Sequence, residues 1–153
     1  MSATVTLTVT VDNIVYVYRH GSVVLSDVRW DDAHTVTLMN TCVLAVQGVD
    51  QGGGYVGILA STSTGVVSDA TWKCSAVWQN GWHQSGFDDA SWAQARIVAS
   101  HGVAPWGTVS GISSHAKWIW AQGSYGGTVY CRRALCQVAE QIIPIHGKVK
   151  YKV

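Results

Sequence analysis

The chain has 153 residues, a formal net charge of +1 and only 12% charged side chains. That length supports a single domain able to bury a real core without metals or staples. The composition points away from nucleic acid, since the one basic cluster is Arg132-Arg133 with the terminal GKVKYKV rather than a basic stripe.

The N-terminus, MSATVTLTVTV, lacks the basic start and unbroken apolar stretch of a signal peptide. Val5, Leu7, Val9 and Val11 alternate with Thr4, Thr6, Thr8 and Thr10, so it reads as a strand already within the fold. Met1 is then expected to be an added start residue on a mature or excised domain. NIVYVYRHGSVVLSDV reads as two strands joined at His20-Gly21, where glycine supplies the positive φ of a tight hairpin.

HTVTL and TCVLAVQGVD follow as strands, QGGG (Gln51 to Gly54) as a loop, and YVGILAS as a strand. Beyond the turn STSTG come WKCSAVW, a Gly/Asn corner at QNGWHQSG, a possible helical turn at DDASWAQA, and the strand AQARIVA. An irregular stretch covers 100–116. KWIW, TVYCRRAL, QVAEQIIPI and KVKYKV then close the chain as strands. In the last, Lys148, Lys150 and Lys152 alternate with Val149, Tyr151 and Val153, as in an edge strand whose outward lysines discourage further pairing. Some ten short strands with glycine turns predict an all-β, two-sheet antiparallel sandwich or a barrel. No apolar run approaches the roughly 20 residues of a membrane span.

An Asp stands three residues before a Trp at Asp27–Trp30, Asp69–Trp72 and Asp89–Trp92. The tryptophans are 42 and then 20 residues apart, which is no repeat period and argues against a propeller or solenoid. The units read as turns in which Asp accepts backbone amides, followed by a core aromatic. The chain holds eight Trp and six Tyr against one Phe, so part of that aromatic set must be core. The four cysteines, Cys42, Cys74, Cys131 and Cys136, follow no metal-type spacing. They imply one or two disulfides in an oxidising, secreted or extracellular setting, with buried free thiols as the alternative.

Two stretches together resemble the galactose-binding-domain-like β-sandwiches, jelly rolls found as accessory modules and lectin-like domains. One is VDNIVYVYRHGSVV followed by CVLAVQGVDQGGGYVGILAS. The other is WKCSAVWQNGWHQSGFDDASWAQARIV, then GVAPWG, then GISSHAKWIW. The resemblance covers roughly residues 3–135 and rests on the order of five motifs, none specific alone. It implies a sandwich over 1–135 with ligand-contacting loops at its ends, and leaves 136–153 as an extra pair of strands, a swapped arm or an assembly element. A bridge between Cys74 and Cys131 would join an early strand of the second half to a late one, leaving Cys42 and Cys136 to pair or stay reduced.

Catalytic signatures are missing. The sequence has no G-x-S-x-G, H-E-x-x-H or P-loop, and its one Glu is Glu140. The adjacent Asp88 and Asp89 suit a turn better than a glycosidase pair. His83, His101 and His115 fall in loops without metal-ligand spacing. Asp12, Asn13 and Asp50 border turns and offer hard oxygen ligands for calcium, which the resemblance also permits. A sugar site needs an aromatic plate beside pre-placed polar groups. Trp72, Trp92, Trp118 and Trp120 look like core and Trp106 like loop packing, so Asn80, Trp82, His83 and His101 are the candidate glycan contacts, with Arg19 and His20 at a hairpin tip. The expected function is non-catalytic glycan binding, strengthened by homo-oligomerisation. The rival reading is an adhesive matrix domain with protein or mineral contacts and no sugar pocket.

Overall fold

A computed structural model describes residues 3–52, 54–136, 141–145 and 148–152. The described residues form no helix, so none is present that could cross a membrane. Twelve strands run in chain order: β1 (Ala3–Asp12), β2 (Ile14–Arg19), β3 (Ser22–Asp27), β4 (His34–Thr41), β5 (Val43–Val49), β6 (Gly57–Thr62), β7 (Lys73–Ser75), β8 (Arg96–Ser100), β9 (Lys117–Trp120), β10 (Thr128–Ala134), β11 (Gln141–Ile145) and β12 (Lys148–Lys152). Ten of them make two five-stranded antiparallel sheets, ordered β4-β1-β6-β9-β8 and β3-β2-β5-β10-β7, that face each other as a sandwich. Among the described residues β11 and β12 pair only with each other, as extra strands after the sandwich. The expectation of outward lysines on β12 concerns side chains outside the described residues.

Period-two alternation sets the inner faces. Val5, Leu7, Val9 and Val11 of β1 are buried, and they meet Val15 and Val17 of β2, Leu44 and Val46 of β5, and Ile58 of β6 in one core. The β1 threonines take the other face. Thr8 pairs with Thr35 at 3.1 Å, whereas Thr10 is buried and donates to the carbonyls of Arg29 and Trp30. At the hairpin tip His20 (φ 49°) and Gly21 (φ 83°) are both left-handed, as the turn requires.

The long loops depart from the expectation that connections gather at the sandwich ends. Residues 76–95 fold across the outer face of the β2-β5-β10 sheet, and 101–116 across the outer face of the other. Each covers a small second core: Trp82 and Trp92 over Ala45, and Trp106, Val109 and Ile112 over Leu59 and Trp118. Burial on both faces explains why YVGILAS and TCVLAVQGVD read as nearly continuous apolar runs. Gly57 serves this packing, because a Cβ there would lie 2.6 Å from Cε3 of Trp118.

WKCSAVW is strand only over Lys73–Ser75, since the chain leaves the sheet to begin its excursion. DDASWAQA is a tight turn and not a helical one. Asp88 Oδ1 accepts the Ala90 amide at 3.0 Å, and the Asp89 carbonyl accepts the Trp92 amide at 2.9 Å. Asp27 and Asp69 likewise cap their turns through Oδ1. The Asp89 carboxylate instead bonds Arg132 and Lys73 (3.3 Å). Trp72 and Trp92 are buried and Trp30 is half-buried, so the motif is turn chemistry followed by a packed indole.

Both disulfides form. Cys74–Cys131 joins directly opposed residues of β7 and β10, and Cys42–Cys136 ties the β4–β5 turn to the end of the sandwich. They span 57 and 94 residues, and in the chain-entropy model each loop closure contributes about 4–5 kcal/mol.

Candidate functional site

The excursion decides the fate of the first candidate cluster. Trp82 is fully buried, which corrects its assignment as a sugar-stacking plate. Its indole sits edge-on to Tyr18 (5.2 Å), against Tyr130 (5.2 Å) and over Trp92 (6.5 Å), so no ring face reaches solvent. Its carbonyl accepts Arg132 Nε at 2.9 Å, while Arg132 Nη2 reaches the Gln84 carbonyl at 2.8 Å and Nη1 the Asp89 carboxylate. This buried guanidinium pins three points of the excursion to β10. Arg132→Met is expected to cost about 3–5 kcal/mol, because it strands two carbonyls and leaves the Asp89 carboxylate with Lys73 alone. Hydrogen exchange would show the loss as deprotection concentrated in 79–92.

The exposed aromatic of the cluster is Trp78, 44% accessible, which the sequence reading passed over for Trp82. Its Nε1 donates to Asn80 Oδ1 at 3.0 Å, and it makes T-shaped contacts with His83 (5.6 Å) and Tyr130 (5.4 Å). His83 also stacks on Tyr18 at 5.0 Å. Beside His83 lies a cleft of about 240 Å³ lined by His20, Asn40, Thr41, Gln84 and the Cys42 bend. His20 Nε2 bonds the Asn40 carbonyl at 2.8 Å, and Arg19 Nε the Met39 carbonyl at 2.6 Å. Arg19, His20, Asn80 and His83 thus fall on one side of the molecule.

Burial lowers the His83 pKa. A depressed imidazole stabilises the fold above its unfolded pKa of about 6.5, and that contribution is lost as pH falls through the folded value. The melting temperature is therefore expected to drop between pH 7 and 5, and the drop to be smaller in His83→Gln.

His101 is a structural tie, which corrects its place among the glycan contacts. Nδ1 bonds the Ser113 carbonyl at 2.9 Å and Nε2 accepts the Val109 amide at 2.8 Å, so both ring nitrogens brace the 101–116 loop over the opposite sheet. His83, His101 and His115 do not converge, and no group of three or more His, Cys, Asp or Glu among the described residues could hold a metal.

The third set does come together, at the end where β1 meets β2 and β5 meets β6. The Asn13 amide donates to the Val49 carbonyl at 2.9 Å, the Gln51 amide to Asn13 Oδ1 at 2.8 Å, and the Asp50 amide to the Gly127 carbonyl at 2.8 Å. Asp12 is 7% exposed, and its Oδ2 accepts Trp106 Nε1 at 2.9 Å. Burial raises the Asp12 pKa. The Trp106 hydrogen bond opposes that shift, and the nearby Asp50 charge adds to it. Asp50 Oδ1 is buried with no hydrogen-bond partner among the described residues. Trp106 stacks on Trp118 at 4.4 Å and meets Tyr55, which is 54% exposed, edge-on at 5.9 Å. The rim therefore holds two carboxylates, a carboxamide and a half-exposed phenol.

No family model matches the chain, and no solved structure does. The chain is similar to an alpha-L-rhamnosidase of Streptomyces avermitilis. The two are 28% identical over an alignment of 131 residues that spans 73% of this chain and 13% of that enzyme. The similarity is carbohydrate-related, and it reaches only a small part of the enzyme's length.

Tyr55 and Trp106 are the rim residues that sequence reasoning missed as site members. Tyr55 falls within the strand pattern of YVGILAS. Trp106 packs as its loop suggests, but nothing local signals that its N–H ends on a carboxylate 94 residues away.

Proposed function

We propose that the domain is a non-catalytic carbohydrate-binding unit of the galactose-binding-like type, which takes a rhamnose-like sugar at the Asp12–Asn13–Asp50–Tyr55 rim. The observation that carries this reading is the buried Oδ1 of Asp50, without a hydrogen-bond partner among the described residues, beside a second carboxylate. An unsatisfied buried carboxylate oxygen is costly, and a ligand that engages it removes the cost. Tyr55 supplies an apolar face for a sugar's C–H surface, while Asn13 and the carboxylates suit its hydroxyls.

The residues also fit calcium. Asp12, Asn13 and Asp50 are hard oxygen ligands, and two carboxylates are fewer than the six to eight oxygens the ion takes. Bound there, calcium would offset the paired negative charge and leave coordination positions for vicinal hydroxyls. The similarity to a rhamnosidase supports the sugar class. Its limited extent supports an accessory role, and two disulfides support an extracellular setting.

Calorimetric titration with methyl α-L-rhamnoside and rhamnose-ended oligosaccharides, in calcium and in EDTA, tests the reading. Saturable binding that requires calcium is expected. Silence in both conditions at high protein concentration would favour the adhesive matrix reading.

A further inference from the structure

The cleft beside His83 belongs to none of the machinery at the Asp12 rim, and its chemistry differs. Its lining contains no acidic residue: His20, Asn40, Thr41, His83, Gln84 and Ser85 supply imidazole, amide and hydroxyl groups. A cation has no carboxylate to meet there. At about 240 Å³ the space lies below that of drug-sized pockets and suits one sugar ring.

We propose that this cleft, with the Trp78 indole set against its His83 wall (5.6 Å), is a second carbohydrate site that takes a single neutral pyranose without a metal ion. Three observations carry it. The Trp78 ring is held by Asn80 Oδ1 and by T-shaped contacts with Trp82 (6.0 Å), His83 and Tyr130, so a half-exposed indole is fixed in place before any ligand arrives. His83, which lines the cleft, keeps Nδ1 buried and without a hydrogen-bond partner among the described residues, and a sugar hydroxyl would complete it. Gln84 is exposed, and its carboxamide lies close to the hairpin tip. A Cβ on Gly21 would lie 2.5 Å from Gln84 Nε2, so only glycine allows that approach.

Burial keeps His83 in its neutral form near pH 7, and neutral imidazole both donates and accepts as hydroxyl recognition requires. Two sites facing different directions would let one domain hold two units of a branched or neighbouring glycan, with the gain in effective concentration that follows.

The test is nitrogen-15 NMR titration with methyl α-L-rhamnoside, methyl β-D-galactoside and methyl β-D-glucoside, in EDTA. At least one sugar should shift the Trp78 indole and the Gln84 amide saturably, with affinity in the millimolar range. The same shifts should survive Asp50→Asn, which removes the rim site, and weaken at least ~10-fold in Trp78→Ala, a change of about 1.4 kcal/mol. Should Trp78→Ala lose its dispersed spectrum, Gln84→Ala on the surface takes its place with the same expectation. The proposal is overturned if no sugar moves those resonances, if the shifts vanish in EDTA or in Asp50→Asn, or if they are unchanged in the cleft variants. A failure at the rim alone would leave the cleft shifts intact, so the two readings fail separately.

Discussion

Asp12→Asn is expected to abolish calcium-dependent sugar binding while leaving the fold at least as stable. The Asp12 carboxyl has its pKa raised by burial, so the native state holds that proton more tightly than the unfolded chain does. Its stabilising contribution is complete below the unfolded pKa of about 3.9 and is lost as pH rises through the higher folded value. Above that value the charged, buried carboxylate next to Asp50 is a liability in the absence of a cation. Asparagine keeps an oxygen for Trp106 Nε1 and removes the charge. In EDTA the variant should melt a few degrees above the wild type. Calcium should raise the wild-type melting temperature by linkage and leave the variant unmoved. Sugar affinity in calcium should fall by about 100-fold or more. A variant that binds normally would remove Asp12 from the site.

Trp82→Ala carries the largest expected loss of stability. The indole is fully buried between Tyr18, Tyr130 and Trp92, and it roofs Ala45 of β5. Truncating a large buried aromatic costs about 3–5 kcal/mol. For a domain of this size that lowers the melting temperature by roughly 6–20 °C. The carbonyl of Trp82 also receives Arg132, so a slackened excursion disturbs the guanidinium that anchors it. Trp78→Ala, by contrast, removes a half-exposed ring and should cost less than about 1.5 kcal/mol. Chemical denaturation of the two variants side by side separates a core indole from a surface plate. Equal midpoints would contradict the assignment.

The difference between these neighbours shows where sequence stopped being informative. Trp78 and Trp82 sit in one polar, glycine-rich segment with no period-two or helical pattern to say which faces inward. Their environments come from residues far along the chain: Tyr18, Ala45, Tyr130 and Arg132 reach the excursion only once β2, β5 and β10 have paired. His101 follows the same logic. Its loop position resembles that of a solvent-facing ligand group, yet Val109 and Ser113 take both nitrogens.

Alternation alone determined β1 to β4, the inward valines of β1 and β2 and the hairpin at His20-Gly21, because a pleated backbone sends successive side chains to opposite faces whatever surrounds it; β5 and β6 were legible as short apolar runs bounded by turns. KWIW was legible as a short apolar run and the buried Trp72 and Trp92 as the indoles that follow Asp-initiated turns. Local hydrogen bonding sufficed for those. Only the tertiary structure decided which long loop lies over which sheet, and so which indole is sealed in. It alone brought Asp12 against Trp106 and Asp50. Such meetings depend on strand order and on contacts between distant segments, and no short window of residues encodes them.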